Sequence, residues 1–230
     1  MAESKELDRS LVLQRFSSRV LWHFTGYGKS DDEAFERLSS IIDQRCLRTG
    51  SKNETVHKPD RKPRHGYPVA CMCDIPFGDL RIHMERYGRF GMAFFKDAAI
   101  NLGHFNPVLY LHKSSPILRH ATDLVSQLEK TVDADSPINT PLQQLLLLLG
   151  SYCKPSDLNH PAIPSPEKDL SQDNNFYYER EWRTVNSWQY PDAAVAAIMV
   201  PVKYFGKFKS AWSDRFAGSS LISSEMVGML

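Results

Sequence analysis

The 230-residue chain has no apolar run long enough to cross a bilayer; the five leucines at residues 145–149 are far too short. Its start, Met1-Ala2-Glu3-Ser4-Lys5-Glu6, is polar and has no apolar signal core. Cysteine is scarce, at positions 46, 71, 73 and 153 only. Four thiols in a chain of this size suit a reducing cytoplasm better than a disulfide framework. These absences predict a cytoplasmic protein with no membrane partner. Net charge is +1, so no global field draws nucleic acid, and such a partner must use a local patch. There is no GxSxG, HExxH or Walker loop, which leaves those chemistries without support. Cys71 and Cys73, with His83 further on, fall short of a zinc ligand set, and no metal is expected. Buried free thiols are the plainer reading.

What is present suits a globular fold. Hydrophobic content is 42% and charged content 24%, which fits one sizeable domain over residues 19–230, preceded by an arm or short helix at 1–18. Aromatic and β-branched residues predict strands over 19–25, 67–73, 90–95, 107–111, 176–185 and 194–200. Helices are predicted over 30–45, 79–87, 97–102, 118–128, 140–149 and 202–212. Ser30 and Glu33 form a capping box at the first. Gly88 ends the second. Thr140 and Pro141 open the helix that the leucine run fills. That helix is apolar nearly all round, so it should be buried on more than one side, and Gly150 should stop it. The tail from residue 213 carries little pattern. Strands and helices intersperse without regular βαβ alternation. The expected class is α+β, a mixed sheet of about six strands with surrounding helices.

Two segments read as loops. Residues 48–66 carry Arg48, Lys52, Lys58, Arg61, Lys62 and Arg64 with almost no apolar content. This is a mobile basic loop: either plainly solvated, or a lid or phosphate-contacting arm. Residues 154–175 hold four prolines and read as a polar surface loop.

The densest chemistry lies at 176–185, Phe-Tyr-Tyr-Glu-Arg-Glu-Trp-Arg-Thr-Val. In a strand, Tyr177, Glu179, Glu181 and Arg183 share one face, and Tyr178, Arg180, Trp182 and Thr184 the other. The charged face is either a salt-bridged ladder or the acidic wall of a site. His23 and Thr25 share a face of the 19–25 strand. His23 is either a hydrogen-bonded core residue or, with Thr25, a contact for a polar ligand such as a ribose.

Five stretches together resemble the AbiGi family of abortive-infection, phage-resistance proteins. They are Trp22-His23-Phe24-Thr25, residues 71–76 (CMCDIP), residues 83–91 (HMERYGRFG), residues 107–110 (PVLY) and residues 178–183 (YEREWR). The resemblance spans about residues 20–200 and implies an antitoxin component of a bacterial phage-defence system. Its partner would be a cognate toxin or antitoxin protein, or operator DNA.

A more distant resemblance is to ADP-ribosyltransferases, which implies NAD as a substrate and an ADP-ribosyltransferase-like fold. In that pattern His23 binds a ribose of NAD, Tyr87 stacks the nicotinamide, and Glu181 contacts the nicotinamide ribose. Glu179 completes Glu-x-Glu, giving Glu181 and Glu179 as the catalytic pair. Thr25 and Arg183 complete the cofactor-binding set, although Arg183 also stands where it can neutralise Glu181. The target would be nucleic acid or protein. Loss of nicotinamide builds positive charge on the ribose, which a fixed carboxylate stabilises. The two expectations are an NAD-dependent enzyme and a non-catalytic antitoxin.

Overall fold

The computed structural model describes residues 18–50, 68–112, 114–131, 141–156 and 176–228. Residues 1–17 of the arm, most of the 48–66 basic loop, Thr140 and most of the 154–175 polar loop lie outside these residues.

In chain order the elements are β1 (Val20–Thr25), α1 (Asp31–Gln44), β2 (Cys46–Leu47), β3 (Ala70–Cys73), α2 (Leu80–Tyr87), β4 (Phe90–Phe95) and α3 (Lys96–Asn101). Then come β5 (Asn106–Pro107), β6 (Leu109–His112), α4 (Pro116–Thr131), α5 (Pro141–Tyr152) and β7 (Cys153–Ser156). Last are β8 (Glu181–Thr184), β9 (Trp188–Gln189), β10 (Val195–Val200), α6 (Phe205–Trp212), β11 (Ser220–Ser223) and α7 (Ser224–Gly228). The architecture is α+β. The main sheet has seven strands, in the order β11-β10-β4-β1-β3-β8-β5, and is mixed because β10 and β11 run parallel. It thus exceeds the expected six, since the weakly patterned tail supplies β11 at one edge. Two small sheets, β2-β9 and β6-β7, flank it.

Both faces of the sheet are covered, which explains why β4 and β10 are apolar throughout rather than alternating. On one face Leu21, Met72, Met92, Phe94 and Ile198 join Leu38 and Ile42 of α1. On the other, Trp22, Cys73, Ala93 and Met199 meet Leu80 and Met84 of α2 and Val227 of α7. The capping box of α1 forms as expected. Ser30 Oγ accepts from the Glu33 amide, and the Glu33 carboxylate accepts from the Ser30 amide at 2.9 Å. Gly88 closes α2 at φ +101°; a Cβ there would lie 2.6 Å from the Thr25 carbonyl oxygen. Only glycine lets α2 end this close to the tip of β1.

Four expectations need correction. Residues 107–111 do not form one strand: β5 pairs with β8 in the main sheet, whereas β6 pairs with β7. The leucine-rich α5 runs through Gly150 to Tyr152, and Leu145, Leu148 and Leu149 are exposed rather than buried. Lys154 is not in a surface loop; it lies on β7 and is buried. The strand expected from residue 176 begins at Glu181. A 3-10 turn, Tyr177–Glu179, precedes it, and Arg180 adopts a left-handed φ of 42°. Glu179 and Glu181 are therefore not alternate residues of one strand. Among the described residues, no helix is long and apolar enough to cross a membrane.

Candidate functional site

β1 and β3 are registered at a single pair, Trp22 with Cys73. Beyond it the ladder is replaced by a side chain: His23 Nδ1 lies 2.9 Å from the Cys71 carbonyl oxygen. A carbonyl only accepts, so Nδ1 carries the proton and Nε2 of the neutral ring is the bare nitrogen. Burial lowers the His23 pKa against the upward pull of that carbonyl, which keeps the ring neutral.

Beside this break is a cavity of about 400 Å³. Trp22, Phe24, Cys71 and Cys73 of the sheet line it, as do His83, Arg86 and Tyr87 of α2 and Lys154, Glu179 and Glu181. Thus four sequence-predicted residues, His23, Tyr87, Glu179 and Glu181, border one space. Thr25 does not line it; it pairs with Phe90 at the end of β1. Arg183 stands behind the wall, against Glu181.

The two carboxylates are held by the protein's own cations. Glu181 takes Arg183 Nε at 2.8 Å, Arg183 Nη2 at 2.9 Å and Lys154 Nζ at 3.2 Å. Burial pushes its pKa up, but Lys154 and Arg183 outweigh burial and hold it at about 2. Glu179 pairs with Lys154 Nζ and accepts from Tyr87 Oη at 2.6 Å, with Arg86 Nη2 at 3.9 Å. Burial and then the Glu179 charge raise the Tyr87 pKa, so its hydroxyl stays a donor. Arg183 also donates from Nη1 to the Ser151 carbonyl at 2.6 Å. That contact ties β8 to the end of α5.

Other groups in the wall are less satisfied. Both ring nitrogens of His83 and Nη1 of Arg86 are buried without a hydrogen-bond partner. Burial lowers the His83 pKa to about 4; the Glu179 backbone, near the ring but outside hydrogen-bond geometry, pulls it up. The Arg86 guanidinium lies 5.1 Å from the Tyr178 ring centroid and 5.7 Å from that of Tyr87, a cation–π setting. Burial raises the pKa of both Cys71 and Cys73, so neither is a ready thiolate nucleophile. Among the described residues, no group of three His, Cys, Asp or Glu side chains could hold a metal ion.

Sequence reasoning missed Lys154 and Arg86. His83, Arg86 and Tyr87 sit at i, i+3 and i+4 of a short helix, so a shared face was readable there. A lone lysine beside a proline gives no periodic signal, and Lys154 was not readable.

The chain matches a family model described as "Putative abortive phage resistance protein AbiGi, antitoxin" over residues 39–199. It is 28% identical over 131 residues to the abortive phage resistance protein AbiGi of Lactococcus lactis subsp. cremoris. That match covers 53% of this chain and 52% of the relative, so the chain spans about half the relative's length. No solved structure matches. The expected likeness to ADP-ribosyltransferases therefore finds no support beyond the residue pattern itself. The matched stretch runs from within α1 to β10 and contains every cavity residue except those of β1, and the chain belongs to the AbiGi family of abortive phage resistance proteins.

Proposed function

We propose that this chain is the antitoxin of an abortive-infection system and works by binding its cognate toxin, without turnover. One observation carries this reading. Glu179 and Glu181, the best candidates for catalysis, are each already bonded to cations of the same chain. A carboxylate stabilises a developing cation best when its charge is aimed there. Here Lys154 and Arg183 have taken that charge, and freeing it means leaving buried cations unpaired. The family description, which names an antitoxin, points the same way. Toxin protein is favoured over operator DNA because a net charge of +1 supplies no global attraction for phosphate. The cytoplasm is the compartment that suits four free cysteines.

Co-expression tests it. Induction of a cognate toxin should arrest growth, and this chain should restore it. If the chain leaves the arrest untouched, or arrests growth alone, the antitoxin reading fails.

A second reading has one observation in its favour: His23, Tyr87, Glu179 and Glu181 border the same cavity. In it NAD is the substrate, Glu181 and Glu179 are catalytic, and His23, Thr25, Tyr87 and Arg183 serve NAD binding. A protein or nucleic-acid target would accept the ADP-ribose. Calorimetry with NAD separates the two readings. Saturable heat with release of nicotinamide would favour the enzyme, and silence the antitoxin.

A further inference from the structure

The cavity is balanced in charge but lopsided in hydrogen bonding. Two cations, Arg86 and Lys154, and two anions, Glu179 and Glu181, line it. Most of its donors are spent. Lys154 and Tyr87 donate to the carboxylates, Arg183 donates from behind, and the His23 Nδ1–H is used on Cys71. Acceptors remain. A carboxylate offers about four lone-pair sites. Glu181 uses all of these, on Arg183 Nε, Arg183 Nη2, Lys154 and the Cys71 thiol. Glu179 uses two, on Tyr87 and Lys154. His23 Nε2 is a further acceptor, and among the described residues no group donates to it. Cys71 adds no acceptor: its carbonyl is spent on His23, and its thiol donates to the Glu181 carboxylate.

A guest must therefore donate. Balanced charge gives it no reason to be a cation, and the Arg183 charge behind Glu181 works against one. Two polar residues in the α2 wall also want partners: Arg86 Nη1, a donor, and His83, a neutral ring 3% exposed with both nitrogens unmatched. So the guest needs an acceptor beside its donor. The walls also include aromatic rings, with Trp22 and Phe24 stacked at 5.9 Å and Tyr87 nearby, which favours a flat guest. The volume lies within the range of small-molecule sites.

We infer that the cavity binds an uncharged planar amino-heterocycle of the nucleobase class, with its exocyclic amine facing Glu179 and His23 and a ring nitrogen as its acceptor. This site goes beyond toxin binding and does not depend on it.

Titration of the ¹⁵N-labelled full chain with adenine and with cytosine tests the inference, read by calorimetry and by the His23 Nε2 resonance. N6,N6-dimethyladenine removes the amine donors, and benzamidine replaces the neutral guest by a cation. At least one base should bind and shift His23 Nε2, with the dimethylated base and benzamidine weaker by about tenfold or more. His23→Asn keeps a donor for the Cys71 carbonyl but removes the Nε2 acceptor, and should weaken binding by about tenfold. If that variant does not fold, Phe24→Leu, at a half-buried wall position, should weaken binding instead. Adenosine and a short oligoadenylate, run alongside, tell a free base from one carried on a chain. Absence of binding at millimolar base, equal binding of the dimethylated base, or a preference for benzamidine would overturn the inference.

Discussion

Glu181 and Arg183 lie two residues apart on one face of β8 and meet in a two-pronged ion pair, Nε to Oε1 at 2.8 Å and Nη2 to Oε2 at 2.9 Å. Lys154 reaches the same carboxylate from β7 and bonds Glu179 as well. The contiguous end of α5 and β7 is thereby joined to β8, distant in sequence, at one buried cluster.

Glu181→Gln should destabilise the protein by about 3 kcal/mol, the low end for breaking one partner of a buried pair. The amide keeps the shape but leaves Arg183 and Lys154 short of a counter-charge. Urea melts at pH 7 measure this directly. A change below about 0.5 kcal/mol would mean that the cluster does not support the fold.

Acid should remove the same contribution. Held at about 2 in the folded chain against 4.5 for an ordinary glutamate, Glu181 contributes stability that is complete above pH 4.5. It is lost as pH falls from there toward 2, and amounts to about 3 kcal/mol. Melts between pH 5 and 2.5 should show a steep loss in the wild type and a shallower one in Glu181→Gln. Parallel curves would contradict the assignment.

His83 should act in a higher window. Its folded pKa is about 4 against 6.5 when unperturbed, so stability is lost as pH falls from 6.5 through 4. His83→Phe removes this titration and two unmatched buried nitrogens. The variant should be more stable than the wild type by about 1 kcal/mol or more at pH 5, with a smaller margin at pH 8. A margin that does not change with pH would sink the assignment.

Local signals were the legible part of this fold. Ser30 and Glu33 announced the start of α1, Gly88 the end of α2, and the apolar run Phe90–Phe95 a central strand. Each depends only on neighbours in sequence. The site was legible in part, since His23, Tyr87, Glu179 and Glu181 were chosen for their chemistry and border one cavity. Lys154 was hidden because its meaning comes from β6, its partner strand at Leu109–His112, where it pairs with Tyr110, 44 residues earlier. The 3-10 turn before β8 was hidden too. The Glu-Arg-Glu-Trp-Arg spacing suits a strand, but the left-handed Arg180 breaks it one residue before Glu181.

The capping box gives a control remote from the cluster. Ser30→Ala should cost about 1 kcal/mol by removing the Oγ acceptor of the Glu33 amide. It should leave the acid window of Glu181 unchanged. A loss much larger than this in thermal melts would show that the α1 start carries more than its cap.

The most direct test of the antitoxin reading is calorimetry of the purified chain against its purified cognate toxin, with NAD titrated separately. Saturable 1:1 heat with the toxin and none with NAD is the expected result. No heat with the toxin, together with NAD binding and release of nicotinamide that Glu181→Gln abolishes without unfolding, would contradict it.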